Sequence, residues 1–391
     1  MMAMTASSPL YHNVLVSPRL GGGEKVAIAI HRYAAAQRLG SSELLVPAGG
    51  ESERAVAQES LQHRSYAFEK LMSPSRFASL LANADLSFKL RAATQGVLHV
   101  HSPFVYGALR PLRSVSKLRT ILHLHLDYTV DQLRWALARA PDVVVVCARF
   151  MEPIVAEALA ERGNGKRAGT RIAVAVNAVD IRRFTPGDRA QAKQSKGVAP
   201  HRQVYLMAAN LAPHKGQETA LQAVALLKAR GHSPLLWLVG EEREGNIFTE
   251  RLQRLVVELG IADCVEFLGF RGDVPELMHA ADCLLLPSTS EGLPLSILEA
   301  QASKVTVVAA PTAGIPEVVR HGETGYLVPA HDAQGYAAVL ESLLREPEAS
   351  RKIAEAAYRK TISEYTLDRY CARILSEYDE LLGSHVVEPA A

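Results

Sequence analysis

Residues 283–299 read CLLLPSTSEGLPLSILE. Four apolar residues and a proline make a strand-sized run. Ser288-Thr289-Ser290 is a polar loop, and Pro294 opens a segment with helical spacing. Proline suits the first helical turn, because the amide it lacks has no partner there anyway. A short apolar run passing through a polar loop into a helix is the repeating unit of a parallel sheet with helices on its faces.

The same unit recurs on both sides of this stretch. Residues 204–209, 235–240, 265–268 and 306–310 are further apolar, β-branched runs. Helical patterns lie between and beside them at 216–231, 248–259, 275–280, 294–303 and 315–320. The first half repeats the scheme, with runs at 14–17, 96–101, 120–125, 142–147 and 172–177 and helical patterns at 24–39 and 131–140. Two such series predict an α/β chain of two doubly wound parallel-sheet domains. Residues 184–200 (FTPGDRAQAKQSKGVAP) are polar, contain Pro and Gly, and lack apolar periodicity. They mark the boundary, giving domains over 1–183 and 184–361. Residues 362–382 carry Tyr, Leu and Ile at three-to-four spacing and read as one long tail helix, which the domain assignment extends over 362–385.

Composition narrows the class. The chain has 391 residues, 48% hydrophobic and 21% charged, which fits globular domains rather than disorder or coiled coil. The net charge of +2 argues against a nucleic-acid binder. No apolar run approaches the ~18 residues of a membrane helix. The first ten residues lack a basic residue and a signal-type apolar core. The four cysteines are far apart and form no C-x-x-C pair, so neither zinc nor a disulfide framework is expected, and a reduced cytoplasm is. The small total hides an asymmetry. Lys and Arg outnumber Asp and Glu by nine in residues 1–183, and the order reverses by seven in the remainder.

Three motifs carry chemistry. In the opening stretch, Glu291 falls on the loop and Glu299 inside the helix, about 7 Å further along the axis. The amides of Gly292, Leu293, Leu295 and Ser296 would face the crevice at the helix start, where hydroxyls or phosphates bind. The two carboxylates then take different hydroxyl donors, one a sugar ring and the other a ribose diol. By itself Glu299 would be a solvated helix residue, but the loop before it is built as a site. Gly21-Gly22-Gly23-Glu24-Lys25 follows the first strand and opens a helix, either as an anion-approach loop or as a plain tight turn. His214-Lys215-Gly216, between a strand and a helix, puts a cation where phosphate is already favoured, though a surface lysine would look the same.

In this order and spacing the motifs resemble the retaining glycosyltransferases of the GT-B fold, in the large glycosyltransferase family 4. The resemblance rests on Gly22-Gly23-Glu24, Asn177-Ala-Val-Asp180 with Phe184-Thr-Pro186, His214-Lys215-Gly216 and the pair Glu291 and Glu299. It continues through Gly314-Ile-Pro-Glu317 and Gly322-Glu-Thr-Gly325-Tyr-Leu-Val-Pro329. It covers nearly the whole chain and is densest from 204 to 329.

The resemblance implies two facing Rossmann-like domains that close over the donor. The first would take the acceptor and the second a nucleotide-sugar, with the tail helix crossing back to the first. Glu299 would hold the ribose hydroxyls. Glu291 and the amides of Gly292, Leu293 and Leu295 would hold the sugar and β-phosphate, with Ser296 in the same helix turn. Lys215 would neutralise the diphosphate, and Gly22 and Gly23 would close on it. Phe270 and Arg271 fall where the family holds the base through backbone atoms. A histidine ending an N-domain strand would reach the sugar near the reacting carbon; His125 is favoured and His123 is the fallback on the same face. No metal or other cofactor is implied, and no D-x-D pair follows a strand. Front-face substitution is implied, in which the departing phosphate oxygen takes the acceptor proton.

Three positions depart from the family pattern. Asn210 stands where an Arg is usual, so Lys215 would carry more of the charge. Lys304 replaces a Gly, and Cys147 a Ser. The expected activity is transfer from a UDP-sugar, ahead of a GDP-sugar, to a glycan or lipid-linked acceptor in polysaccharide or glycolipid synthesis. A nucleotide-sugar 2-epimerase of the same architecture and a non-catalytic sugar-nucleotide binder are the alternatives. Arg110, Arg113, Lys117 and Arg119, beside the helical stretch 70–91, form a basic surface. It would meet anionic phospholipid at the inner membrane face or a pyrophosphate-linked acceptor; a solvated basic face accounts for it equally.

Overall fold

The structure is a computed structural model that describes residues 11–37, 42–67, 85–90, 93, 95–109, 117–160, 169–242 and 245–383. The chain divides into two compact units, Met1–Val176 with Asp368–Ala391, and Asn177–Leu367. The boundary expected after residue 183 thus lies inside the second unit. Arg110 and Arg113, and most of the stretch 70–91, lie outside the described residues.

The first unit holds a seven-stranded sheet. Its strands are β1 (Tyr11–Val14), β2 (Ser42–Pro47), β3 (His63–Tyr66), β4 (Val97–Val100), β5 (Arg119–Leu124), β6 (Val143–Val146) and β7 (Arg171–Val174). All pairings are parallel, in the order β3-β2-β1-β4-β5-β6-β7. The second unit holds β8 (Val204–Ala208), β9 (Leu235–Val239), β10 (Val265–Gly269), β11 (Cys283–Leu286), β12 (Thr306–Ala309) and β13 (Tyr326–Leu327). They too are parallel, ordered β10-β9-β8-β11-β12-β13. Helices cover both faces of such sheets, so central strands such as β6 and β11 are buried at every residue and read as unbroken apolar runs. The second core joins β8, β9 and β11 to the helices Gln217–Ala229, Ile247–Glu258 and Ala333–Arg345. Each fully buried Leu or Val in it contributes about 1.5–3 kcal/mol.

The order reverses once in each sheet, between β1 and β4 and between β8 and β11. Ligands of open α/β sheets bind at such a switch point, outside the carboxyl ends of the strands.

Two expected segments differ. The boundary stretch contains the helix Arg189–Ser195, capped by Asp188 on the Gln191 amide. Its buried side is Lys193, whose ammonium lies 2.6 Å from Asp282 and 2.8 Å from the Arg202 carbonyl. An ionic anchor leaves no apolar period to read. The tail is two helices, Pro347–Glu364 and Leu367–Leu382, rather than one from 362. They part where Thr366 bridges to Val179, with hydrogen bonds from the Val179 amide to Tyr365 O and from the Leu367 amide to Val179 O.

Candidate active site

In the second unit, the chain leaving β8 makes a short 3-10 turn, Pro213–Lys215. Gly216 follows with φ 76° and caps the helix Gln217–Ala229. Only glycine fits there. An added Cβ would lie 2.1 Å from Pro287 O, so this turn packs directly on the loop leaving β11. The Thr289 amide donates to His214 O at 2.8 Å and joins the same two loops. Across this contact the Lys215 ammonium meets both Glu291 oxygens, at 2.8 and 2.9 Å. The lysine side chain is 18% exposed and the carboxylate 6%. A cation and an anion are therefore held at the β8/β11 switch point with little water around them.

The helix expected from 294 begins at Leu295, with Pro294 as its N-cap. The first-turn amides of Leu295 and Ser296 have no intrahelical acceptor, which leaves donors at the end of the loop that carries Glu291. Gly292 and Leu293 are buried, and their carbonyls accept from the Gly314 amide and the Asn177 side chain. Glu299 is half-buried in the same helix. Asn210 is exposed after β8, and its carbonyl accepts from Gln217. Phe270 and Arg271 follow β10, at the sheet edge. Phe270 is 67% exposed and its amide donates to Glu241 at 3.3 Å. The Arg271 guanidinium grips Asp273 at 2.6 and 2.7 Å. This fork, with Lys196 beside it, holds the Asp273 carboxyl well below the usual range. Lys304 takes the left-handed conformation (φ 56°) that a glycine would adopt freely. Its ammonium lies 2.6 Å from Glu355 and 4.6 Å from the Tyr358 ring centre.

In the first unit, Gly22 and Gly23 open the helix Gly22–Ala36 after β1. A Cβ on Gly23 would lie 3.2 Å from the His125 ring, so the glycine lets the helix start approach the end of β5. His125 is one of four stacked histidines. His99 and His101 leave β4 on one face, and His123 and His125 leave β5 on the same face. Ring centres within each strand are 4.2 and 4.1 Å apart. Across the strands, His99 Nε2 and His123 Nδ1 lie 3.2 Å apart, and His101 Nδ1 and His125 Nε2 lie 2.9 Å apart. Two tyrosines of the helix Leu367–Leu382 close the set. Tyr378 Oη is 2.6 Å from His99 Nδ1, and Tyr370 Oη is 3.2 Å from His123 Nε2. Burial pushes His125 down to about 4 and His99 to about 3, and burial with neighbouring imidazoles pushes His101 and His123 well below the usual value.

His99, His101 and His123 also place one nitrogen each within 4.8 Å of one another. A metal lies in the plane of each imidazole that binds it. Stacked rings put their lone pairs in parallel planes, so this arrangement suits ring-to-ring hydrogen bonds better than a shared ion.

The structure thus brings Lys215 and Glu291 together in one unit and Gly23 with His125 in the other. It turns the Arg271 side chain toward Asp273. Sequence reading missed His99, His101, Tyr370 and Tyr378. The signal was there: H-x-H on two successive strands puts four histidines on one face once the strands pair.

Residues 188–360 match the family model for glycosyl transferases group 1. That segment is similar to the domains of group 1 glycosyltransferases. The chain is 35% identical over 222 residues to D-inositol 3-phosphate glycosyltransferase of Mycobacterium ulcerans, covering 51% of this chain and 47% of that one. It is 31% identical over 264 residues to the enzyme of that name from Streptomyces avermitilis, covering 64% and 55%. The chain spans about half the length of the curated relatives it matches. Among solved structures, Alr3699/HepE of Anabaena, in complex with UDP and glucose, matches with a TM-score of 0.80 at 22% identity over 95% of this chain and 99% of that one. The fold is GT-B. Among the described residues, no helix is long and apolar enough to cross a membrane.

Proposed function

We propose that this chain is a retaining glycosyltransferase whose second unit binds a nucleotide-sugar, a UDP-sugar ahead of a GDP-sugar. The observation that carries the reading is the Lys215–Glu291 pair at the β8/β11 switch point, inside the segment that matches the group 1 family. Lys215 and the first-turn amides suit the diphosphate, whose charge grows as the bond to the sugar breaks. Glu291, with the amides of Gly292 and Leu293, suits sugar hydroxyls, and Glu299 a ribose diol. Phe270 and Arg271 would meet the base through their backbone. In the first unit the same reading assigns His125 a sugar oxygen.

With a cation and helix amides on the leaving group, the reaction proceeds without a metal. The anomeric C–O bond to phosphate breaks, the acceptor oxygen bonds on the same face, and the departing phosphate oxygen takes the acceptor proton. The UDP and glucose in the Anabaena neighbour support the donor class. The acceptor is a glycan or a lipid-linked sugar, met at an anionic membrane surface, and the curated relatives' name adds D-inositol 3-phosphate to the panel.

Calorimetric titration with UDP, GDP, UDP-glucose and GDP-mannose, in EDTA, tests the donor. Binding of one nucleotide that Lys215→Met weakens at least tenfold supports the reading. No binding of any of the four, or equal binding by the variant, refutes it. Release of nucleoside diphosphate dependent on an acceptor separates transfer from epimerisation.

A further inference from the structure

The four histidines differ in one respect. Each ring nitrogen of His99 and His123 has a partner. His101 uses Nδ1 on His125, and its Nε2 is buried without a partner among the described residues. His125 uses Nε2 on His101, and no described residue bonds its Nδ1. His125 is only half-buried, whereas the other three are buried.

Two neutral rings 2.9 Å apart share one proton, and there are two ways to place it. If His125 donates from Nε2, His101 must carry its own proton on Nε2. A buried N–H would then face no acceptor. If His101 donates from Nδ1, its Nε2 is a bare lone pair. Proteins tolerate an unfilled buried acceptor more readily than an orphaned buried N–H. The second arrangement is favoured, and it forces the remaining proton of His125 onto Nδ1.

We infer that His101 is a positioning residue: it donates Nδ1–H to His125 Nε2, locks His125 as the Nδ1–H tautomer, and makes its open edge a hydrogen-bond donor. Burial keeps both rings neutral near pH 7, so the lock holds across the physiological range. The stacked His123 ring, 4.1 Å from His125, and the Gly23 backbone fix the plane in which that N–H points. A fixed donor suits an oxygen with a free lone pair, such as a sugar hydroxyl, a ring oxygen or a phosphate oxygen. An ammonium or a buried N–H would be refused. The tautomer stands on this geometry alone; its use in catalysis rests on the glycosyltransferase reading above.

The test uses nitrogen-15 imidazole spectra of the ligand-free full chain, with UDP-glucose hydrolysis as the turnover probe. In the wild type, His125 Nε2 should have the shift of an acceptor and Nδ1 that of an N–H. His101→Phe keeps a ring in the stack but removes the donor, so His125 should become a mixture of tautomers. His101→Asn restores an amide N–H near the Nδ1 position and should restore the single tautomer. Hydrolysis should follow the same order. For His101→Phe the expected kcat is about tenfold lower, the scale of one hydrogen bond, with KM within about twofold. A wild-type His125 protonated on Nε2, or a tautomer unmoved by His101→Phe, overturns the proposal. An absent UDP-glucose turnover with the tautomer as stated would instead count against the functional reading and leave the lock intact.

Discussion

Replacing Lys215 with Met, Glu291 with Gln, and both together separates the two jobs of the pair. Losing one partner of a fully buried ion pair costs about 3–5 kcal/mol, because the other charge is stranded. Here the carboxylate is 6% exposed and the lysine 18%, so some water reaches the cation. Water at the cation lowers the figures, and Lys215→Met, which strands the better-buried charge, should be the costlier single variant at about 3 kcal/mol. Glu291→Gln leaves the ammonium with an amide oxygen and more water, and should cost about 1–2 kcal/mol. The double variant strands nothing. Its loss should be smaller than the sum of the singles by about 1–2 kcal/mol. Urea denaturation followed by tryptophan fluorescence reads this, because Trp237 on β9 lies within the same unit. Affinity for UDP should split the variants in another way. Lys215→Met loses a charge-assisted contact to phosphate, worth about tenfold or more. Glu291→Gln keeps UDP affinity and loses only what the sugar adds. Losses additive to within about 0.5 kcal/mol, together with equal UDP binding by Lys215→Met, would refute both the coupling and the phosphate role.

Gly216→Ala should cost about 3 kcal/mol or more by thermal or chemical melting, since a methyl 2.1 Å from Pro287 O must push the two site loops apart. UDP binding should fall with it. Acid should destabilise the first unit early. His99 titrates near 3 and His125 and His31 near 4 when folded, against 6.5 for the free group. Between those limits the unfolded chain binds more protons, so stability falls as pH drops below about 6.5 and levels off only below the folded values. His99→Phe should shrink that slope at pH 5 by up to about 1.4 kcal/mol per pH unit, measured by denaturant titration at a series of pH values. Lys304→Ala should lose about 1 kcal/mol by melting, because it keeps the left-handed backbone and removes the Glu355 and Tyr358 contacts; Lys304→Gly, which relieves the backbone, should lie closer to wild type.

Parallel-sheet strands such as β6 and β11 announce themselves because both faces are covered, and Val143–Val146 or Cys283–Leu286 can be read from composition alone. The strands that escaped reading are those with polar residues or short runs. β3 is His-Arg-Ser-Tyr, half-buried at the edge of its sheet, and carries no apolar pattern. β2 is buried throughout, but it includes Glu43, whose charge is met by His12 at 2.6 Å and by Arg64 across the sheet. A buried carboxylate reads as a solvent residue until its partners are known, and the partners are distant in sequence. Lys193 misled in the same way. Its burial depends on Asp282 and on carbonyls that only the fold supplies.

The same distinction governs the site. Lys215 and Glu291 were legible because each sits in a local pattern of strand, loop and helix start, and the sheet order then places both loops at one switch point. The histidine set is a matter of register. β4 pairs with β5 so that His99 lies opposite Ile121, and continuing that register sets His101 opposite His123. A shift of one residue would turn one pair of rings to the other face of the sheet and leave them unpartnered. Three buried imidazoles and a half-buried one are tolerable when the buried protons have acceptors, so the register that pairs them also decides which nitrogen of His125 is left for a ligand. A side chain chosen from sequence as a candidate contact thus has its chemistry set by a neighbour on the adjacent strand, and that neighbour can be found only after the strands are paired.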